Sequence, residues 1–264
     1  MDGKYEEALD KACKEEKTLT VNANVMKAIC RAIEPAQDEF LLKVGNSLRV
    51  EAVDPAHAMM IKASSTGYTS DMMRVPVPMQ EKMVNAIIRS KTSDLGFDLE
   101  LYQADRNMIR LKWFDGEVKT SMVNPIMDIH SFLEPNIPAL NLPARFECDS
   151  RSLKKWLKEC EKIDSGVGLS MYNENVMISS DAEDEESFIS FKLGKVEGNK
   201  GMWSSVYSLD YMLNIVTAAI RVEKEMHFRP PLVMEWNTNY PVRFSQVYNK
   251  LTVEWLLAPR IIGE

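Results

Sequence analysis

The feature that most constrains this chain is a repeat of helix starts. Apolar residues recur at helical spacing in four segments that begin near residues 22, 79, 150 and 208. The first runs from Asn22 to Ile33, with Val25, Met26, Ile29, Cys30 and Ile33 on one face and Pro35 as its stop. The second starts at Pro78, a favoured first-turn residue, and runs to Lys91 with a stripe of Met79, Met83, Val84, Ile87 and Ile88. The third takes Asp149 or Ser150 as N-cap and runs to Ile163, with Leu153, Trp156, Leu157, Cys160 and Ile163 inward. The fourth runs from Ser208 to Val222, with Tyr211, Met212, Ile215 and Ala219 inward. The starts are 57, 71 and 58 residues apart, two near-equal gaps around a longer one. This spacing predicts four copies of one helix-plus-strands unit, paired into two similar domains.

Between the helices the apolar period falls to two. Glu39–Lys43 and Ser47–Val53 flank Gly45-Asn46, and Asn107–Phe114 and Glu117–Val123 flank Asp115-Gly116, both hairpin signals. Gly166–Met171 and Asn175–Ser180 flank Tyr172-Asn173-Glu174, and Leu232–Trp236, Tyr240–Tyr248 and Leu251–Leu257 follow the fourth helix. The extra length in the middle gap falls on residues 130–143. There Pro135, Pro138 and Pro143 deny donors to a central strand and favour an extended connector. The expected organisation is an N-terminal extension over 1–17, a first domain over 18–129, the connector, and a second domain over 144–264. Tyr5, Leu9, Ala12 and Cys13 give the extension the spacing of a short amphipathic helix, expected to be dispensable.

The chain carries few of the marks of an enzyme. Cys13, Cys30, Cys148 and Cys160 are scattered, as are His57, His130 and His227, so no zinc or other metal set is expected and the thiols read as reduced. None of the common nucleotide-binding, serine-hydrolase or zinc-protease motifs occurs, so neither cofactor nor catalysis is expected. An enzyme with a site near Asp54 and His57 stays as a remote alternative, although Asp54-Pro55 is a turn signal. No apolar run reaches the ~18 residues of a membrane span, and the N-terminus has no signal-peptide core, so an intracellular location is expected.

Net charge is −7 over 264 residues, which alone argues against nucleic acid. Its distribution argues the other way. The first helix carries Lys27 and Arg31 and no acid. The second carries Lys82, Arg89 and Lys91 against Glu81. The third carries Arg151, Lys154, Lys155, Lys158 and Lys162 against Asp149, Glu159 and Glu161, and the fourth carries Arg221 against Asp210. The helices are thus net basic within an acidic chain, the charge pattern of a surface that meets phosphates. Asp181-Ala182-Glu183-Asp184-Glu185-Glu186 reads as a solvated acidic loop.

With the repeat and connector in place, three motifs identify a family. Val253-Glu254-Trp255-Leu256-Leu257-Ala258-Pro259-Arg260-Ile261, Ala52-Val53-Asp54-Pro55-Ala56-His57-Ala58 and Asn239-Tyr240-Pro241-Val242-Arg243-Phe244 resemble segments of proliferating cell nuclear antigen, the DNA sliding clamp of archaea and eukaryotes. The resemblance runs from about Lys17 to Ile261, and the lack of an acidic tail looks archaeal. It implies an α+β DNA-clamp fold, two similar domains each with two helices packed on antiparallel sheets, closing as a homotrimer into a six-domain ring. It implies duplex DNA, held without sequence reading by Lys27, Arg31, Lys82, Arg89, Lys91, Arg151, Lys154, Lys155, Lys158, Lys162 and Arg221. It implies a groove for short peptides of DNA polymerase, clamp loader, ligase and flap nuclease, walled by Val53, His57, Ala58, Leu140, Leu142, Pro241, Leu256, Ala258 and Pro259. Ring closure would join a strand edge at Val118, Thr120 and Met122 to one at Val176, Met177 and Ile178 of the next copy. The location implied is the nucleoid of an archaeon or the nucleus of a eukaryote. The fourth helix is poorer in base than the family's. That leaves open a clamp-like subunit of a mixed, checkpoint-type ring, and a scaffold without DNA is a further alternative.

Overall fold

A computed structural model describes residues 20–37, 39–44, 47–66, 75–90, 96–102, 108–115, 118–125, 139–181, 187–196 and 201–260. Among them the chain repeats one unit four times: a strand, a helix, then three more strands. The first unit is β1 (Thr20–Asn22), α1 (Ala23–Ile33), β2 (Phe40–Val44), β3 (Ser47–Val53) and β4 (Met59–Thr66). The second is β5 (Val75–Met79), α2 (Glu81–Arg89), β6 (Gly96–Tyr102), β7 (Met108–Asp115) and β8 (Val118–Pro125). The third is β9 (Ala144–Cys148), α3 (Ser150–Cys160), β10 (Gly166–Tyr172), β11 (Asn175–Asp181) and β12 (Phe188–Lys195). The fourth is β13 (Met202–Ser208), α4 (Leu209–Met226), β14 (Leu232–Trp236), β15 (Val242–Val247) and β16 (Leu251–Leu257).

The opening strand of each unit pairs with a neighbour's meander, not its own. β1 pairs with β6 and β5 with β2, which interlocks units one and two. β9 pairs with β14 and β13 with β10, which interlocks units three and four. The antiparallel orders are β1-β6-β7-β8, β12-β11-β10-β13 and β5-β2-β3-β4-β16-β15-β14-β9. The eight-stranded sheet arises because β4 and β16 pair from Leu251↔Ser65 to Leu257↔Met59, joining the two halves.

Local sequence explains the helices. Asn22 caps α1 by accepting from the N–H groups of Asn24 and Val25, and Asp149 caps α3 through Ser152 N–H at 2.8 Å. That donor holds the Asp149 carboxyl below its usual range. Leu153 and Leu157 of α3 are fully buried, each contributing about 1.5–3 kcal/mol. β16 alternates, with Leu251, Val253, Trp255 and Leu257 inward, and Trp255 Nε1 donates to the Ala32 carbonyl at the end of α1. α4 ends on His227, whose left-handed backbone (φ 51°) turns the chain out of the helix.

Several expectations need correction. Pro78 does not open α2; it lies in β5 opposite Leu41. β5 is the outer strand of its sheet among the described residues. Pro76 and Pro78, two apart, therefore both face their missing donors away from β2. α2 starts three residues later. α3 ends at Cys160, with Ile163 in the following turn, and α4 continues past Val222 to Met226. The expected interface strand of the second half is also displaced. β11 lies between β10 and β12, with Val176 and Ile178 fully buried and only Met177 exposed, so it offers no edge. Among the described residues the edge beyond β11 is β12, and β13 is the other outer strand of that sheet. The extension over 1–17, connector residues 130–138, Gly45, Asn46, Lys91, Gly116 and Glu117, and acidic-loop residues 182–186 lie outside the described residues.

Candidate functional site

The helices pack side by side in the order α2, α1, α4, α3. Their cations fall into three groups. Lys82, Arg89 and Lys155 are exposed and Lys154 is half-exposed, and none of the four has an acidic partner among the described residues. Lys158 and Lys162 are exposed but paired within the helix end, with Glu161 and Glu159. The third group is tied into the fold. Arg31 reaches Glu34 at 2.7 Å and Glu225 at 3.5 Å, and Arg221 reaches Glu34 at 2.5 Å, a four-charge cluster across the α1–α4 junction. Arg151 reaches the buried Glu223, which also accepts from Gln246 Nε2 at 3.0 Å. Lys27 is not on an outer face. It is 5% exposed, and its ammonium donates to the Ser90 carbonyl at 2.7 Å, closing the end of α2. Its four-carbon stem packs inward while the charge bonds an orphan helix-end carbonyl.

On the opposite side, the outer face of the eight-stranded sheet carries a recess of about 180 Å³ under residues 139 and 140. Met60 and Lys62 of β4, Arg243 of β15, Glu254 and Leu256 of β16, and Ala139 and Leu140 line it. Of the expected groove residues, Leu140 and Leu256 meet here. Val53 lies in register beside Met60, and the Ala258 N–H donates to the Ala58 carbonyl at 2.8 Å, setting the 54–58 turn against the end of β16. Leu142, Pro241, His57 and Pro259 stand outside the recess lining. Asn237 Nδ2 holds the Asn141 carbonyl at 3.2 Å, which fixes the connector over the sheet.

Asp54 builds the turn. One carboxylate oxygen accepts from Met59 N–H, and the other from Ala56 N–H at 3.1 Å and Tyr211 O–H at 2.8 Å. That bond raises the Tyr211 phenol above its usual 10, so it stabilises the fold at lower pH and is lost as the phenol ionises. His57 is exposed at a left-handed φ of 57°. Asp54→Ala is expected to lower stability by about 1–3 kcal/mol, because the buried Met59 N–H loses its side-chain partner. A urea midpoint equal to that of the parent chain would refute this role.

The chain aligns over 248 residues, 29% identical, with the DNA polymerase sliding clamp of Archaeoglobus fulgidus, covering 91% of this chain and 95% of that one. A second such clamp, from Methanocella arvoryzae, is 25% identical over 260 residues, covering 92% and 98%. Among solved structures, that of the C-terminal region of FEN-1 bound to A. fulgidus PCNA superposes with a TM-score of 0.75 at 25% identity, covering 94% of this chain and 99% of that one. Over nearly its whole length the chain is thus similar to archaeal DNA polymerase sliding clamps and shares the fold of proliferating cell nuclear antigen. PCNA from Thermococcus kodakaraensis shares the fold at a TM-score of 0.72 and 15% identity, covering 92% and 99%. No family model matches the chain.

Within this clamp fold, Met60, Lys62, Ala139, Arg243 and Glu254 are recess residues that the motifs do not reveal. Strand alternation could have found most of them: Glu254 lies two residues from Leu256, and Lys62 two from Met60, on the same outward face. The acids Glu34, Glu223 and Glu225 escape the sequence pattern because they lie beyond the predicted helix ends. Among the described residues no helix is long and apolar enough to cross a membrane. Nor does any group of three His, Cys, Asp or Glu side chains among them suit a metal ion.

Proposed function

We propose that the chain is a DNA sliding clamp: a closed ring of three copies that encircles duplex DNA and holds polymerases and other DNA enzymes to it. The observation that carries this reading is an unmatched pair of strand edges. β4 ends the meander of the first unit, β8 that of the second, β12 that of the third and β16 that of the fourth. Of these four closing strands, β4 and β16 pair within the chain, while β8 and β12 have only one neighbour each among the described residues; the other outer strands, β1, β5, β9 and β13, are all opening strands of units. The repeat makes β12 the counterpart of β4 and β8 the counterpart of β16. Pairing β8 of one copy with β12 of the next would therefore repeat a junction the chain already makes once. The interface residues are then Val118, Thr120 and Met122 on β8 and the β12 segment in place of Val176, Met177 and Ile178. Residues 18–129 and 144–264 form the two clamp domains, three chains giving six.

In such a ring the helices line the hole and the sheets form the outer wall. Lys82, Arg89, Lys154 and Lys155, with Lys158 and Lys162, face phosphates. Their attraction weakens with salt and carries no sequence information, which suits sliding. The chain itself is non-catalytic in this reading, and the chemistry belongs to the enzymes it tethers. Peptides of those partners, like the C-terminal region of FEN-1 in the A. fulgidus complex, would enter between the 54–58 turn, residues 139–143 and β16.

Light scattering across a dilution series tests the ring, each chain weighing 30.1 kDa. A three-chain mass supports it, and a single-chain mass at every concentration refutes the homotrimer. For the groove, Leu140→Asp with Leu256→Asp is expected to weaken a partner peptide by about tenfold or more, as removal of a buried apolar anchor does. Unchanged affinity by fluorescence anisotropy would move the peptide elsewhere.

A further inference from the structure

The positive charge of the helix layer is sorted between two kinds of junction. Within the chain, α1 meets α4 beside the β4–β16 pair. There Arg31 and Arg221 are matched by Glu34 and Glu225, so these four charges cancel, and exposed Lys224 in the last turn of α4 is the cation left beside them. Lys27, the other cation of α1, is folded inward against the end of α2. The repeat places α3 in the role of α1 and α2 in that of α4. A β8–β12 junction between copies would bring α2 of one copy beside α3 of the next. The cations there are Lys82 and Arg89 on one side and Lys154 and Lys155 on the other, exposed or half-exposed and without acidic partners among the described residues. The one nearby acid of α2, Glu81, accepts only from Asn85 Nδ2 at 3.4 Å. Like charges thus meet across the boundary between copies, where opposite charges meet inside each copy.

We infer that the duplex phosphate backbone acts as the counter-charge of the ring's own subunit boundaries, so DNA bound across a boundary stabilises the closed ring. This rests on the clamp reading above and goes beyond it: the three inter-copy junctions hold the DNA and the three internal ones do not. Two effects follow. Without DNA, lowering salt unscreens the repulsion between Lys82, Arg89, Lys154 and Lys155 and loosens the ring. With DNA, a ligand that binds the closed ring and not the separated chain draws the equilibrium toward closure. At duplex about 100-fold above its Kd, the dissociation constant of the ring falls by roughly 100-fold.

The test is exchange of donor- and acceptor-labelled chains between full-length rings, followed by energy transfer at 50 and 300 mM NaCl. Each is run alone, with a 30-base-pair linear duplex that can thread the hole, and with inorganic polyphosphate. Exchange is expected to be faster at the lower salt without DNA, and slowed at least tenfold by the duplex. Lys82→Gln with Lys154→Gln and Lys155→Gln should abolish both responses, whereas Arg49→Gln with Lys250→Gln on exposed positions away from the helices should keep both. Slowing by polyphosphate equal to that by duplex overturns the duplex as the specific occupant. A stable three-chain ring with salt- and duplex-insensitive exchange overturns the inference while leaving the clamp reading intact. Absence of any three-chain species overturns the ring itself.

Discussion

Single prolines placed next to each other on β12 are expected to separate ring assembly from folding. β12 pairs with β11 along one edge, with Ser190 opposite Ser179 and Phe191 opposite Ile178. Successive residues of an antiparallel strand send their N–H groups to opposite edges. One of Ser190→Pro and Phe191→Pro therefore removes a donor facing β11, and the other a donor facing outward. The first costs a ladder bond and lowers the thermal midpoint. The second leaves the fold standing and blocks strand addition by the neighbouring copy, so the mass falls from three chains to one chain of 30.1 kDa. The same pair of changes on β8, Thr120→Pro and Ser121→Pro, opposite Trp113 and Lys112, should divide in the same way. Met177→Pro gives a different outcome. β11 is paired on both sides, so the proline breaks the sheet and not the interface. A three-chain mass retained by both prolines on β12 would place the interface on another surface.

Physical cause separates what was legible in the sequence from what was not. The repeat was legible because each helix buries one apolar stripe, and that stripe survives as spacing: Val25, Met26, Ile29, Cys30 and Ile33 are all buried as the period requires. Strand edges were not legible. Val176, Met177 and Ile178 alternate as any half-buried strand does, and nothing in that alternation says whether one neighbour or two will pair with it. Only the third strand of the meander, β12, resolves the question, and its run Phe188–Lys195 carries Gly194 and two lysines that mask the pattern. Pro78 misleads for a related reason, since proline suits a first helical turn and an outer strand equally well. Charges were legible as a count and not as partners. Lys27 sits at a position that an ideal wheel leaves at the stripe's margin, and α2 packing against α1 covers it. Arg31, Arg151 and Arg221 find acids that are distant in sequence: Glu225 for Arg31, Glu223 for Arg151, and Glu34, 187 residues away, for Arg221. In the groove, the motifs identify the turn and the end of β16. The floor comes from β4 and β15, whose contribution depends on the β4–β16 pairing between halves.

Reversing Lys154 and Lys155 to Glu is the other change expected to have a large effect: it should weaken DNA binding without acting on folding, while the new acids, facing Lys82 and Arg89 across the boundary, hold the DNA-free ring at least as well as the parent chain. Both side chains project from α3 beside the buried Leu153 and Leu157, so the apolar face of the helix is untouched. Neither is tied to an acid among the described residues, in contrast to Lys158 and Lys162, so the change breaks no internal ion pair. Three copies of the double change reverse six charges on the hole. Each phosphate left without its neutralising cation lowers the slope of log affinity against log salt by about 0.9, so a duplex touching one copy's pair at a time should lose about two units of slope. Affinity near 50 mM salt should fall by at least tenfold, and the products of primed synthesis with a clamp-dependent polymerase should shorten. The counterpart change, Arg31→Glu with Arg221→Glu, should behave in the opposite manner. It leaves Glu34 and Glu225 facing like charges at the α1–α4 junction and lowers the thermal midpoint, while the salt slope stays near that of the parent ring. Each of these partly exposed pairs is worth only about 0–1 kcal/mol. The midpoint should therefore move by a few degrees and no more. Equal loss of slope from both pairs of changes would mean that the ion-paired arginines also reach the phosphates, and the division between charge-matched and cationic junctions would not hold.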